Sequence, residues 1–283
     1  MAALEFVKMH GLGNDFVVID ARGRTVALSP DRVRALADRH RGIGFDQIMI
    51  IGDSQRADAS LTMANADGAP VGACGNGTRC VAALLLDESK RESITLETAS
   101  GLVAASRTAV GDTTVDMGPA RTDWQEIPLA HAMDTLHLDV SIETSAGALR
   151  DPVGVNIGNP HAVFFVDDPA RYDLGGFGRE LEHHVAFPQG ANISLASVKG
   201  TDITLRVWER GVGLTLACGT AACAALVAAA RRGLCGRRAA VHLPGGLLEI
   251  VWRAEDDHVL MTGPVATSFS GRVDPDRLGA AAP

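Results

Sequence analysis

The stretch Cys74-Gly75-Asn76-Gly77-Thr78-Arg79-Cys80 leads into the apolar run Val81-Ala82-Ala83-Leu84-Leu85-Leu86, and the chain carries a second copy of the arrangement. The copy is Cys218-Gly219-Thr220-Ala221-Ala222-Cys223, followed by Ala224-Ala225-Leu226-Val227-Ala228-Ala229-Ala230. Each run reads as a helix that is apolar on every side, and a helix without a polar face belongs in a core. Cys74 and Cys218 therefore fall at the N-termini of two buried helices. A cysteine there meets the positive end of the macrodipole and several unpaired N–H groups. That setting lowers a thiol pKa from about 8.5 toward neutrality, which predicts usable thiolates. The same N–H groups suit a carboxylate. Two such ends predict two thiols acting on one anionic substrate.

Other landmarks repeat in step. Cys218 lies 144 residues after Cys74, and Glu209 lies 144 after Asn65. Gly13-Asn14-Asp15-Phe16-Val17-Val18 matches Gly158-Asn159-Pro160-His161-Ala162-Val163 at a separation of 145, as Ser100-Gly101-Leu102-Val103 matches Gly245-Gly246-Leu247-Leu248. Self-similarity at so long a period predicts two copies of a domain, not a solenoid.

With 283 residues the chain is long enough for two domains, each with its own core. A content of 46% hydrophobic and 21% charged residues is that of an ordinary soluble protein. The net charge of −8 argues against nucleic acid or an anionic membrane as partner. The start Met1-Ala2-Ala3-Leu4-Glu5-Phe6-Val7-Lys8 lacks the apolar centre of a signal peptide, and no apolar run approaches a membrane span. Five cysteines (74, 80, 218, 223 and 235) form an odd, sparse set, which predicts reduced thiols in the cytoplasm.

Along the chain, two strands are expected between Phe6 and Asp20, then a helix from a Ser29 cap to about His40. Further strands are expected near 48–51, 61–65, 94–98, 102–107 and 113–117, with Gly118-Pro119 closing the first unit. The second unit is expected to hold strands near 135–142, 162–166, 192–197, 202–209, 240–243, 247–252 and 258–262, and a helix over 173–184. A loop-rich tail is expected from about 265, frayed at 279–283. Many strands around one apolar helix, twice over, predict an α+β fold of two pseudo-symmetric domains. The domains are 1–119 and 120–264, with no low-complexity linker between them.

At these residues the sequence resembles the diaminopimelate epimerase family of cofactor-independent amino-acid epimerases. The likeness covers nearly the whole chain. It rests on Lys8-Met9-His10-Gly11-Leu12-Gly13-Asn14-Asp15-Phe16, Gly42-Ile43-Gly44-Phe45-Asp46-Gln47, the Cys74 stretch, Gly158-Asn159-Pro160-His161, Glu209-Arg210-Gly211 and Ala217-Cys218-Gly219-Thr220. The resemblance implies a mainly antiparallel sheet wrapped on the central helix of each domain, with the active site in the cleft between them. It also implies that the tail, 265–283, returns to the first domain. Cys74 and Cys218 become the proton-transfer groups, with no cofactor and no metal. A small amino-acid substrate and a homodimer are expected. Ala69 and Leu214 stand where the family usually has Ser and Glu, so another amino acid, such as proline or histidine, remains an alternative substrate.

Inverting an α-carbon requires a proton removed from one face and one delivered to the other, which two opposed groups do without moving. The developing carbanion must also be stabilised. Pyridoxal phosphate is one electron sink, but the chain has only three lysines (8, 90 and 199), none in a phosphate-cup context. The N–H groups at Gly75-Asn76 and Gly219-Thr220 offer an oxyanion-hole arrangement instead. Asn14, Gln47, Asn65, Asn159 and Asn192 can hold substrate without quenching a thiolate, or they serve turns and caps. Arg210 suits a distal carboxylate and Glu209 an ammonium. His161 either bonds a thiol or carboxylate or packs in the core, while Cys80 and Cys223 read as small core residues. A zinc or redox protein is the rival class, but Cys-x5-Cys and Cys-x4-Cys lack paired ligand knuckles.

Overall fold

The computed structural model describes residues 3–274. These fall into two compact units. One holds the residues up to Val115 together with those from Pro264 onward, and the other is Asp116–Gly263. The break thus comes a few residues before Gly118-Pro119.

The first unit contains β1 (Leu4–Gly11), β2 (Asn14–Asp20), α1 (Pro30–Ala37), β3 (Gln47–Gly52), β4 (Ala59–Asn65) and the short β5 (Pro70–Val71). It continues with α2 (Gly75–Ser89), β6 (Ser93–Thr98), β7 (Gly101–Arg107) and the start of β8 (Thr113–Pro119). The second unit contains the hairpin β9 (Ser141–Thr144) and β10 (Gly147–Arg150), then β11 (Val153–Asn156) and β12 (Pro160–Phe165). After them come α3 (Leu174–Glu182), β13 (Asn192–Lys199), β14 (Asp202–Glu209), β15 (Gly213–Leu214) and α4 (Gly219–Arg231). The unit closes with β16 (Arg238–Leu243), β17 (Gly246–Trp252) and β18 (His258–Gly263), and β19 (Ala266–Val273) returns to the first unit.

The duplication seen in the sequence is repeated in the ladders. In the first unit β1–β2 is antiparallel, β2–β3 parallel, β3–β4 antiparallel, β4–β6 parallel and β6–β7 antiparallel. In the second, β11–β12, β12–β13, β13–β14, β14–β16 and β16–β17 follow the same alternation. Even the two-residue strands agree, β5 pairing with β4 as β15 does with β14.

Each sheet wraps its own apolar helix. α2 touches β1, β2, β3, β6 and β7, and α4 touches β11 to β14 and β16 to β18. Cys80, Val81, Ala82 and Ala83 are buried on α2, as are Ala221 to Ala229 on α4, so both helices lie in the core as their apolar runs predict. The fit is close. A Cβ at Gly77 would meet Met49 Cε at 2.0 Å, so a larger residue in the first turn of α2 would make the Met49 side chain on β3 move. Cys80 and Cys223 are fully buried core residues.

Four expectations need correction. Residues 135–140 form no strand, although Leu138 and Val140 are buried in alternation. Their backbone is held instead by irregular bonds, with the Leu138 N–H donating to Pro152 O at 3.0 Å, the Gly154 N–H to Thr135 O at 2.8 Å and Arg232 Nε to Leu136 O at 2.8 Å. The helix begun by Ser29 ends at Ala37, because Asp38 Oδ1 accepts from the N–H groups of His40 and Arg41 and turns the chain. Val153–Asn156, where no strand was expected, is a wholly buried strand. The tail is not loop-rich: β19 pairs antiparallel with β1 from Leu4↔Val273 to His10↔Ala266. The fraying expected at 279–283 lies outside the described residues. Among the described residues no helix is long and apolar enough to cross a membrane.

Candidate active site

In the first unit Cys74 is the N-cap of α2, with extended backbone at φ −147° and ψ 102°. Its Sγ accepts from the Gly77 N–H at 3.4 Å, so the sulfur takes the place of a capping oxygen. Two residues on, Asn76 is 3% exposed, and its Nδ2 donates to Asn14 Oδ1 at 3.5 Å. Asn14 opens β2, and its own Nδ2 donates to Asp46 Oδ2 at 2.7 Å. Behind this pair lies an ionic cluster. Arg39 donates to Asp15 Oδ1 and to Asp46 Oδ1, each at 2.8 Å, and buried Lys8 donates to Asp15 Oδ2 and to Gly44 O. Burial pushes the Asp15 carboxyl up, but the bonds from Arg39 and Lys8 outweigh it and hold the group well below the usual carboxylate range.

Gln47 and Asn65 are cross-strand partners of β3 and β4, and Gln47 Nε2 donates to Asn65 Oδ1 at 2.9 Å. Gln47 Oε1 is buried without a hydrogen-bond partner among the described residues. Asn65 N–H is held by Ala69 O at 2.9 Å, the turn in which Ala69 was singled out. The structure thus links Asn14 to Asn76, and Gln47 to Asn65.

The second unit repeats the frame with other chemistry. Cys218 is the N-cap of α4, at φ −126° and ψ 111°. Its Sγ lies 3.5 Å from Thr220 Oγ1. The thiolate favoured by a helix N-terminus is not what this setting favours. Burial pushes the Cys218 thiol well above its ordinary value, and the neighbouring Glu209 carboxylate raises it further against smaller opposing bonds from Thr220 and Ala221. Glu209 ends β14, and Thr215 Oγ1 donates to its Oε1 at 2.5 Å.

Asn192 is consumed by backbone. Its Nδ2 donates to Pro160 O at 3.0 Å and its Oδ1 accepts from the Arg210 N–H at 3.0 Å. The exposed Arg210 side chain donates from Nη1 to Gln189 O at 3.0 Å. His161, 0% exposed, sits 2.9 Å through Nε2 from Asn159 Oδ1. An amide oxygen only accepts, so Nε2 carries the hydrogen and Nδ1 is left bare, buried and without a partner among the described residues. Burial, helped by the charge of Arg210, pushes the imidazole down to about 3, so His161 is neutral.

Sequence reasoning missed the supports of these groups. Glu182, 5% exposed, accepts from Trp208 Nε1 at 2.7 Å and from the Gly211 N–H at 2.8 Å, and so pins both sides of Glu209-Arg210. A glutamate near a helix end gives no sequence signal of burial. Asp46 stood inside a quoted motif, where its spacing did not reveal its bond to Asn14. Among the described residues no group of three or more His, Cys, Asp or Glu could hold a metal ion.

The class comes first from the fold. Over 99% of this chain and 96% of that one, the structure is similar to a hydroxyproline epimerase of Agrobacterium vitis solved with trans-4-hydroxy-L-proline, with a TM-score of 0.67 at 17% identity. It is equally similar to a PhzF-family phenazine biosynthesis protein of Bacillus anthracis, with a TM-score of 0.67 at 16% identity over 97% and 100% of the two chains. The two-domain α+β fold is therefore one shared by epimerases and their structural kin. The family follows from sequence, since the diaminopimelate epimerase family model matches residues 6–122 and 153–268. The diaminopimelate epimerase of Rhodospirillum centenum is 53% identical over 281 residues, 98% of this chain and 95% of that one. That of Methylocella silvestris is 52% identical over 274 residues, 95% and 94% of the two. The chain belongs to the diaminopimelate epimerase family and is an isomerase.

Proposed function

We propose that this enzyme interconverts LL- and meso-diaminopimelate, inverting one α-carbon without pyridoxal phosphate, as a step toward lysine and peptidoglycan precursors. Membership of the family, joined to a cysteine at the N-cap of each duplicated helix, carries the reading. One thiolate takes the α-proton: the C–H bond breaks, an S–H bond forms, and the electron pair spreads into the α-carboxylate. The other thiol then protonates the opposite face as its own S–H bond breaks, and it ends as thiolate. Charge changes places between the sulfurs and is not created. The reaction requires one sulfur on each face of the α-carbon, and we assign those places to Cys74 and Cys218.

The N–H groups at Gly75-Asn76 and Gly219-Thr220 hold the carboxylate as its charge grows. Asn14, Gln47, Asn65 and Asn159 line the substrate's polar groups, Asn192 holds the Arg210 backbone in place, Glu209 accepts from an ammonium and Arg210 takes the distal carboxylate. His161 supports the thiols as a neutral base. In the resting protein Cys218 is the proton donor, a reading supported by its burial and by Glu209. Cys74, whose Sγ receives an N–H, is the base.

The test is a panel of LL-diaminopimelate, proline, hydroxyproline and histidine, assayed without added cofactor. Turnover of diaminopimelate alone is expected. Turnover of another amino acid in its place would move the assignment to that substrate. A cytoplasmic homodimer completes the proposal. No disulfide joins any of the five cysteines, and β19 is an exposed strand whose Phe269 is 49% exposed, the kind of surface that a second copy can cover. Phe269→Glu is expected to lower the mass seen by light scattering to that of one chain.

A further inference from the structure

An amide side chain has a donor end and an acceptor end, and half a turn exchanges them. Asn14 and Asn76 each have a fixed charge behind the amide. Asp46 Oδ2 accepts from Asn14 Nδ2 at 2.7 Å, and Arg79 Nη1 donates to Asn76 Oδ1 at 3.1 Å. A carboxylate only accepts and a guanidinium only donates, so neither amide can turn over without setting like against like. The charges are themselves anchored. Asp46 accepts from Arg39 Nη2 at 2.8 Å and from the Asp15 N–H at 3.1 Å. Arg79, fully buried on α2, donates from Nε to Pro264 O at 3.4 Å.

We infer that Asp46 and Arg79 are positioning residues that fix the two amides head to tail, so that Asn14 offers its carbonyl and Asn76 its NH2 group to a zwitterionic amino acid. The inference rests on the reading of Asn14 and Asn76 as substrate contacts. It adds the order of the grip. An ammonium goes to the Asn14 side, whose oxygen has a second lone pair beyond the one met by Asn76 at 3.5 Å. The carboxylate goes to the Asn76 side, where the N–H groups at the start of α2 reinforce the amide. Asp46 and Arg79 need touch no substrate to do this.

The test is steady-state kinetics with diaminopimelate on Asn14→Ala, Asp46→Asn, Asn14→Asp and the double variant N14D/D46N, with thermal unfolding of each. Asp46→Asn keeps the shape but puts a two-ended amide behind Asn14, which is then free to sit either way. KM is expected to rise about tenfold with kcat within about twofold of the parent, the scale of one hydrogen bond lost from the ground state and transition state alike. Asn14→Asp sets two carboxylates together, and a KM rise of about thirtyfold is expected. In the double variant the introduced amide donates to the introduced carboxylate, and an acceptor again faces the substrate. KM is expected to return to within about threefold of the parent, the spread of a conservative exchange.

A merely structural role for Asp46 gives no such rescue, because the double variant loses the charge facing Arg39 just as Asp46→Asn does. A parent-like KM in Asp46→Asn, beside a raised KM in Asn14→Ala, overturns the inference and leaves Asn14 as a substrate contact. A parent-like KM in Asn14→Ala overturns both. If Asp46→Asn fails to fold, the double variant decides: recovery relative to Asn14→Asp supports the inference, and a KM as high as in Asn14→Asp, or a second failure to fold, overturns it.

Discussion

The N-termini of α2 and α4 occupy equivalent places in the duplicated frame, yet the side chains around their cysteines differ in charge. Nine residues before Cys74 stands the neutral amide Asn65, and nine before Cys218 stands Glu209. Five residues after Cys74 stands Arg79, and five after Cys218 stands Cys223, both fully buried. The first sulfur receives an N–H from Gly77, while the second is buried beside a carboxylate that helps keep its proton on. Duplication preserved the ladders and the cap positions. Substitution within that frame gave one half to a base and the other to an acid, on the mechanism proposed above.

The largest expected effect breaks the comparison outright. Cys74→Ala and Cys218→Ala should each lower kcat/KM for epimerisation by about 10⁴-fold or more, the scale of a lost proton-transfer group. The wild-type enzyme in heavy water sharpens the point. A monoprotic thiolate returns only the proton it took, so deuterium should appear in the product from its first formation and stay nearly absent from the remaining substrate. Early proton NMR of both epimers reads this directly, and equal early label in substrate and product would count against two opposed cysteines.

A smaller effect should follow Glu209→Gln. Without the carboxylate charge, the Cys218 thiol loses one of the causes that raise it, so its ionisation should move down in pH. Alkylation of Cys218 followed against pH by peptide mapping should show the midpoint fall, and kcat should drop about 100-fold. An unmoved midpoint would mean that burial alone holds the proton.

The smallest effect concerns stability, not rate. His161 is pushed down to about 3 in the folded protein, against an ordinary value of 6.5. Between those values the unfolded chain binds a proton that the folded one refuses, so stability from this residue is present above pH 6.5 and is lost as pH falls toward 3. His161→Gln, which can keep a donor to Asn159, should flatten the decline in unfolding free energy over that range. Urea unfolding at several pH values checks it, and an unchanged slope would reject the buried neutral histidine.

The two cap cysteines were legible because an all-apolar run after a Cys-Gly pair carries its own evidence of burial, and here it occurs twice. The cross-strand meeting of Gln47 with Asn65 was not legible, since register is a property of the pair of strands and not of either one. Residues 135–140 misled for a related reason: Leu138 and Val140 alternate into the core, but irregular bonds to Pro152, Gly154 and Arg232, not a regular ladder, hold their backbone. β19 hid in the opposite way. Ala266-Thr267-Ser268-Phe269-Ser270-Gly271-Arg272-Val273 has little apolar periodicity, and its strand exists because β1 offers it a ladder. The thiol at Cys218 was misjudged because a dipole argument sees the helix end and neither the burial of the sulfur nor the carboxylate beside it.

That last ladder has a consequence for the order in which the protein is made. β1 begins at Leu4 and pairs with a strand that ends at Val273, so the ribosome releases one partner almost a whole chain before the other. Asp116–Gly263 is contiguous and has all its strands in hand while the first unit still waits for its last one. Vectorial synthesis, which usually favours the amino-terminal domain, here lets the carboxy-terminal one reach completion first. Until the final residues emerge, the N-terminal strand keeps one edge bare, the state in which a nascent sheet is most open to wrong partners.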